Sequence, residues 1–288
     1  MLQKLSFLGL LFAAFVWGIS FVLMKNSLDI LPPMYLLGVR FFLSFLLLGV
    51  IYCKKFALLS KDTIKCGSIL GIFLFFAYTS QTIGLSYTTA GKNAFITASY
   101  IIFTPLIEWI FVKKKTSKKT LIAIFLTMFG IGLLCLDDNL SVSLGDFLTL
   151  ICGVCYAFHF FYIDRYSKQD TILLLLLQFF VVGLLSFIIA PIYHSDFNFN
   201  LSILLDKNIM FSLSFLVVFC SFIGFFLQMT CQKYVPPTIA GIVLSLESVF
   251  GILSSIIFLG EQITLKILIG CILIFTSIVL VNINFEKK

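Results

Sequence analysis

Glu247 is the residue of this sequence best placed to do chemistry. It stands about ten residues into an apolar run, 237–259, which is long enough to cross a membrane as a helix. At ~1.5 Å per residue its carboxyl group lies ~15 Å from the start of that helix, near the middle of a hydrocarbon layer about 30 Å thick. An acid at this depth can bind an amino group or carry a proton. The alternative interpretation is a structural hydrogen bond to a neighbouring helix.

His159, in the apolar run 144–163, is a second titratable group and a candidate proton partner for Glu247. Histidine suits a proton relay because it changes charge near neutral pH. Tyr156 precedes His159 by three positions, so the two are expected to share one face of a helix. The alternative for this pair is aromatic packing, with the polar tips satisfied by neighbouring groups.

Polar and aromatic residues recur at offsets of 147 and 139 positions, which indicates an internal repeat. The matched pairs are Gln81 with Gln228, Tyr100 with Glu247, Trp17 with Tyr156, and Ser20 with His159. One such pair would be unremarkable, but several at equivalent places suggest a common lining surface. For Gln81 and Gln228 a structural role is the alternative, because buried glutamines usually hydrogen-bond between helices.

The composition requires a lipid environment. Hydrophobic residues make up 60% of the 288 residues and charged residues 11%, against about 45–50% and about 25% in soluble domains. We therefore predict an all-α integral membrane protein with ten transmembrane helices and short loops. The predicted spans, first to tenth, cover 5–24, 33–53, 64–85, 91–112, 119–136, 144–163, 171–191, 209–231, 237–259 and 264–284. The first span carries Trp17 and no clear cleavage site follows it, so we expect it to be an uncleaved helix.

Prolines and charges predict where the spans begin and which way they run. Pro32-Pro33 and Pro236-Pro237 suit helix starts, since proline has no backbone donor. Fifteen Lys and Arg residues fall on the N-terminal side of the predicted membrane and four on the other side. Because these residues accumulate in cytoplasmic loops, we expect both termini to face the cytoplasm, in the cytoplasmic membrane of a prokaryote. The net charge of +7 then reflects topology, and no nucleic-acid partner is expected.

The repeat predicts the architecture. Each half contains five helices, an odd number, so the second half must enter the membrane upside down. We predict two five-helix repeats of inverted topology, 1–136 and 144–284, around one central cavity. Inverted repeats of this kind are typical of transporters. The first, third, fourth, sixth, eighth and ninth spans should line the cavity, while the fifth and tenth, which carry almost no polar residues at mid-depth, should lie outside it.

Two further charged residues lie within predicted spans. Arg40 is ~10 Å deep in the second span. It can extend to the outer surface or pair with an acid, and the alternative is that it binds a carboxylate. Glu108 lies near the lysines at 113–115 and is predicted to pair there. Gly67 and Gly71, four positions apart, predict a close helix contact.

The sequence contains no H-E-x-x-H, G-x-S-x-G or Walker A motif, so no catalytic site is expected and ATP cannot drive transport directly. Cys152-x-x-Cys155 lies inside a hydrophobic run with no second ligand pair nearby, so we predict no metal or cofactor.

Several motifs resemble those of the EamA family of the drug/metabolite transporter superfamily, over nearly the whole chain. They are Trp17-Gly18-x-Ser20-Phe21, Arg40-Phe41, the stretches 94–97 and 100–105, Leu246-Glu247-Ser248-Val249 and Leu259-Gly260-Glu261. Ser248 stands where the family usually has a proline that kinks the ninth helix.

The resemblance implies a ten-helix secondary transporter, often an exporter of amino acids or related metabolites. Its partners would be a small-molecule substrate and membrane lipid, with the protein a monomer or homodimer. The residues expected to bind the substrate are Glu247, Tyr100, Trp17, Ser20, Tyr156, His159, Gln81, Gln228 and Arg40. The alternatives are an intramembrane enzyme acting on lipid, a lipid flippase, or a channel, which would need rings of polar residues along a pore.

Overall fold

The protein is a bundle of apolar helices. The computed structural model describes residues 2–88, 90–135, 143–259 and 264–282. The helices are α1 (Leu2–Leu28), α2 (Pro33–Ile51), α3 (Lys61–Tyr87), α4 (Ala90–Thr97), α5 (Tyr100–Val112), α6 (Lys118–Cys135), α7 (Leu144–Arg165), α8 (Thr171–Tyr193), α9 (Lys207–Phe215), α10 (Phe225–Cys231), α11 (Pro237–Leu244), α12 (Leu246–Leu259) and α13 (Leu265–Asn282). Two 3₁₀ helices, Cys53–Leu58 and Leu201–Leu205, lie in loops, and Leu216–Gly224 is a π-helical segment joining α9 to α10.

These helices correspond to the ten predicted spans. Within the described residues, eight helical stretches are long and apolar enough to cross a membrane, and Leu265–Leu280 is a shorter apolar helix. The fourth span consists of α4 and α5, the eighth of α9, the π-helical segment and α10, and the ninth of α11 and α12. The predicted boundaries at 136 and 284, and the residues Gly260 and Glu261, lie outside the described part of the chain.

The helix starts follow from local chemistry. Both α2 and α11 begin at a proline, as predicted for Pro33 and Pro237. Ser60 begins α3 by accepting a hydrogen bond from the backbone N–H of Thr63 at 3.1 Å. Ser143 and Asp146 form a reciprocal capping box at the start of α7, which satisfies backbone donors that have no partner inside the helix.

Asp170 links the start of α8 to the loop that follows α2. Its carboxylate accepts hydrogen bonds from the backbone N–H groups of Ile172 and Leu173, at 2.9 and 3.2 Å, and from the ammonium group of Lys55. Partial burial raises the pKa of Asp170, but the hydrogen bonds from Lys55 and the backbone lower it by more, so the pKa lies below its usual value.

The second and seventh spans pack against each other in antiparallel fashion. Gly38 of α2 lies against Phe187 of α8, and Gly183 of α8 lies against Phe42 of α2. The residue number therefore rises along one helix as it falls along the other. Because these spans occupy equivalent places in the two halves, an antiparallel contact between them is what an inverted repeat requires.

The fifth and tenth spans show the same relationship. Thr127 of α6 and Ser277 of α13 are hydrogen-bonded at 2.7 Å. One turn further along α6, Gly130 lies against Ile274 of α13. These two antiparallel contacts between equivalent helices establish the two inverted five-helix halves of the fold.

Helix packing also uses the predicted pair of glycines. A Cβ atom at Gly67 would be 2.5 Å from Leu177, and one at Gly71 would be 2.7 Å from Val181. The close contact predicted for this pair is therefore present, between α3 and α8. The outer surface is strongly apolar, with Val50, for example, 77% exposed, as expected for side chains that face lipid.

Candidate functional site

The fourth and ninth spans are interrupted at equivalent places. Between α4 and α5 the N–H of Ile101 donates to the carbonyl of Ala98 at 3.0 Å, and between α11 and α12 the N–H of Ser248 donates to that of Ser245 at 3.1 Å. In both, the N–H bonds to the carbonyl three residues earlier, which makes a tighter turn than the four-residue step of an α-helix. The two breaks are 147 positions apart, which is the offset of the repeat. The ninth span is thus interrupted although Ser248 replaces the usual proline.

Tyr100 and Glu247 each follow one of these breaks and meet inside the bundle. The hydroxyl of Tyr100 donates to Oε1 of Glu247 at 3.3 Å. Both residues are buried, at 2% and 6% exposure. The two positions are equivalent in the two halves, so this hydrogen bond lies at the pseudo-two-fold axis that relates them.

A small cavity adjoins the Tyr100–Glu247 pair. It is lined by Trp17, Ser20, Phe21, Met24, Tyr78, Gln81, Tyr100, Tyr156, Phe160, Phe225 and Glu247. All six spans predicted to line the cavity contribute to it, and no described residue of α6 or α13 does. A volume of about 30 Å³ is open to the centres of water molecules, which is room for two or three waters at roughly 10–15 Å³ each.

Aromatic side chains form most of the wall. The rings of Tyr78 and Tyr156 meet edge to face at 5.7 Å, and those of Tyr156 and Tyr100 at 6.3 Å. The indole of Trp17 packs 5.1 Å from the ring of Phe225. Trp17 and Tyr156, predicted as an equivalent pair, therefore both lie at the cavity.

Ser20 and Gln81 line the cavity but also have structural hydrogen bonds. The hydroxyl of Ser20 donates to the backbone carbonyl of Trp17 at 2.6 Å, within α1. The Gln81 amide donates to the Thr97 hydroxyl at 3.1 Å, joining α3 to α4. The structural role considered for Gln81 is thus present together with its place at the cavity.

His159 and Gln228 do not line the cavity. His159 is fully buried, and its Nε2 lies 2.9 Å from the Gln178 side-chain oxygen, on α8. Three helical positions differ by about 60° around the axis, so Tyr156 points to the cavity while His159 points to α8. Gln228 is also fully buried, and neither of its side-chain amide atoms has a hydrogen-bond partner in the described structure. The structure thus corrects the prediction that these two residues share a surface with their repeat partners.

Arg40 is buried and lies directly behind the cavity wall. It is 1% exposed, which excludes the predicted extension to the surface. Its guanidinium donates to the Ser221 hydroxyl at 2.9 Å, to the Tyr78 hydroxyl at 3.4 Å and to the Met24 sulfur at 3.5 Å. It also lies over the rings of Phe41 and Tyr78, at 5.0 and 4.8 Å. No carboxylate of the described residues lies within 4.0 Å of it, so the predicted pairing with an acid is absent.

The π-helical segment, Leu216–Gly224, supplies groups to both Arg40 and α1. Ser221 is the acceptor for Arg40, and the carbonyl of Cys220 accepts a hydrogen bond from the indole N–H of Trp17 at 2.9 Å. π-helical turns occur frequently at functional sites, and this one joins the cavity wall to the buried arginine.

Five lining residues were not anticipated from the sequence: Phe21, Met24, Tyr78, Phe160 and Phe225. Phe21, Met24 and Phe160 lie four positions after Trp17, Ser20 and Tyr156, which were predicted to line the site and do. That spacing places side chains on the same helix face, so it is the signal that would have identified these three.

A polar network closes one end of the bundle beyond the cavity. Lys114 donates to Glu108 at 2.9 Å, which confirms the predicted ion pair and selects one of the three lysines. The hydroxyl of Thr238, at the start of α11, donates to the other oxygen of Glu108. The end of the fourth span is thereby joined to the start of the ninth.

Known proteins resemble this chain in sequence and in fold. An uncharacterized transporter of Archaeoglobus fulgidus is 30% identical over 279 residues, which cover 96% of this chain and 85% of that protein. An Escherichia coli protein named "Probable amino-acid metabolite efflux pump" is 24% identical, covering 91% of this chain and 90% of that protein. A solved crystal structure superposes with a TM-score of 0.80 at 13% identity, covering 99% of this chain and 98% of the other, a likeness of fold alone.

The family match covers almost the whole chain. Residues 4–136 and 143–283 match the EamA-like transporter family. The relatives named above are described as transporters or efflux pumps, so the chain is a membrane transporter and not an enzyme. The protein belongs to the EamA-like transporter family, within the drug/metabolite transporter superfamily.

Proposed function

We propose that this protein exports amino acids or related small polar metabolites by alternating access, with Glu247 as the principal polar group of the transport site. The observation that carries the proposal is the buried Tyr100–Glu247 hydrogen bond, at a cavity between the two halves. Two relatives, from Escherichia coli and Salmonella typhimurium, each carry the name "Probable amino-acid metabolite efflux pump", which supports this substrate class.

The chemistry of Glu247 suits an amino-bearing solute. An ionised carboxylate can accept several hydrogen bonds, and Tyr100 supplies the only one found among the described residues. A substrate ammonium group can therefore bind while Tyr100 keeps its contact. A proton on the carboxylate competes with that ammonium group, and this competition provides a route for coupling substrate movement to a proton gradient.

Transport requires the cavity to widen, because its present volume leaves room for only two or three waters. The breaks before Tyr100 and Glu247 are where half-helices can move without disrupting a continuous helix. The network of Glu108, Lys114 and Thr238 joins two of these half-helices at one end. If the termini are cytoplasmic, this end faces the cytoplasm, and the network must open to admit a cytoplasmic substrate.

Transport by purified protein in proteoliposomes tests the proposal. Uptake of a mixture of the twenty labelled amino acids is measured across a range of pH values. We expect Glu247→Gln to abolish saturable uptake or its pH dependence while the protein stays folded. Asp196→Asn is the control, because it also removes one carboxylate, from the exposed loop after α8, and it should keep the wild-type pH profile. Normal uptake with an unchanged pH profile in Glu247→Gln would show that the acid is structural.

Cysteine labelling tests the proposed orientation. Ser195 and Lys168 are both exposed and lie in loops at opposite ends of α8. In a background without native cysteines, Ser195→Cys should react with an impermeant reagent from outside the cell and Lys168→Cys only after lysis. The reverse pattern would place the termini outside.

A further inference from the structure

Arg40 has more hydrogen-bond donors than the described residues around it satisfy. A guanidinium has five N–H groups and stays charged at all physiological pH values. The structure gives it three acceptors among the described residues, and one of them, the Met24 sulfur, is weak. The side chain is 99% buried and has no carboxylate partner in the described chain. The rings of Phe41 and Tyr78 also contact the guanidinium, but no anion among the described residues balances its charge, and a buried charge without a counter-ion is costly.

The cavity is the direction from which an anion can approach. Met24 and Tyr78 contact the guanidinium and also line the cavity, so Arg40 lies directly behind these two side chains. Methionine is unbranched and changes rotamer easily. A small movement of Met24 therefore opens a path between the cavity and the free N–H groups.

Arg40 and Glu247 lie at the two ends of a row of three tyrosines. The guanidinium stacks on the Tyr78 ring at 4.8 Å, and this ring contacts Tyr156 at 5.7 Å. Tyr156 contacts Tyr100 at 6.3 Å, and the Tyr100 hydroxyl binds Glu247. The cavity therefore has an acid at one end of its tyrosine wall and a cation behind the other end.

We propose that Arg40 binds the carboxylate of the substrate, so that the transported solutes carry a carboxylate as well as an amino group. The inference rests on the proposed function, in which Glu247 binds the amino group. The guanidinium is planar and suits a carboxylate, whose two oxygens it can bind together. A solute without a carboxylate leaves the cation uncompensated and binds weakly.

Analogues test the proposal on the unaltered protein. The labelled amino acid taken up fastest from the mixture of twenty is competed with its own unlabelled form, its carboxamide and its decarboxylated amine. The last two should compete about 10- to 100-fold more weakly, since hydrogen bonds to a charged group are lost. Equal competition overturns the role of Arg40 and leaves amino-acid export intact. Absence of any saturable amino-acid uptake overturns the proposed function and this inference with it.

Variants separate binding from a purely structural role. Arg40→Gln should bring the ratio of carboxamide to amino-acid competition close to one. Ser221→Ala is the control, because it removes a partner of Arg40 without removing the charge, and it should keep the wild-type ratio. A structural role would lower all uptake and leave the ratio unchanged, which overturns the proposal. If Arg40→Gln does not fold, the analogue series on the wild-type protein decides alone.

Discussion

Replacing Gly18 by alanine should force apart the two helices that hold the transport site. A Cβ atom at Gly18 of α1 would lie 2.6 Å from the carbonyl oxygen of Glu247 and 2.8 Å from the backbone nitrogen of Gly251, both on α12. These are backbone atoms, so no side-chain rotation relieves the contact. Carbon atoms pack at about 3.5–4.0 Å, and the helices must therefore separate by about 1 Å beside the carboxylate of Glu247.

Comparing two variants gives the size of the expected loss of stability. Overpacking of this kind costs about 1–3 kcal/mol, while alanine gains roughly 1 kcal/mol over glycine in a helix. At Gly251, on the facing helix, the one described atom that a Cβ would meet is the Gly18 carbonyl oxygen, at 3.5 Å, an ordinary contact. Gly251→Ala therefore has the gain without the clash. The propensity gain cancels in the comparison, and Gly18→Ala should be less stable than Gly251→Ala by about 1–3 kcal/mol.

Thermal unfolding of the two variants in the same detergent measures the difference. The melting temperature of Gly18→Ala should lie below that of Gly251→Ala by on the order of 2–6 °C. Saturable uptake in proteoliposomes should fall more in Gly18→Ala as well, because the displaced backbone carries Glu247. Equal melting temperatures and equal uptake would refute the close packing of α1 on α12 at this level.

Three further variants probe other contacts. Asp170→Asn keeps an N-cap side chain but loses the charge that meets Lys55, and this part-exposed pair is worth at most about 1 kcal/mol. The pKa of Asp170 is lowered on folding. The wild-type protein should therefore be more stable than Asp170→Asn above about pH 4, and this advantage should vanish as the pH falls through the lowered pKa. Melting curves between pH 7 and 3 measure the change. Trp17→Phe removes the hydrogen bond to the Cys220 carbonyl, at a cost of about 1 kcal/mol, and amide exchange in the π-helical segment should quicken; unchanged exchange would argue against that anchor. His159→Ala should lower the melting temperature through a loss of about 1–3 kcal/mol while the order of preference among competing amino acids stays the same, and a changed order would place His159 at the transport site after all.

The spans were predictable because lipid imposes long apolar runs and because Pro33 and Pro237 mark helix starts. The breaks in the fourth and ninth spans were not. Their residues, Ala98, Ser99 and Ser245, are all compatible with a helix, and neither break contains a glycine or proline. For the fourth span the nearest local signal is Pro105, which has no N–H to donate to the carbonyl of Ile101.

The repeat predicted the centre of the site better than its edges. Equivalent residues of inverted halves meet near the axis, which is why matching Tyr100 to Glu247 identified a real contact. The same matching pairs Phe225 with Tyr78, and both line the cavity. It failed for Gln228 and His159, each of which lies three positions, or about 60° of helix rotation, beyond a residue that does line the cavity.

The contact between Tyr100 and Glu247 also shows what joining the two halves in one chain makes available. A homodimer built from one five-helix unit would place the same residue on both sides of its axis. Two facing carboxylates would repel and share a proton, whereas two tyrosines would offer no anion. In a single chain the two positions can mutate independently. A hydrogen-bond donor can then face an acceptor at the axis, where exact symmetry would place two identical residues opposite each other.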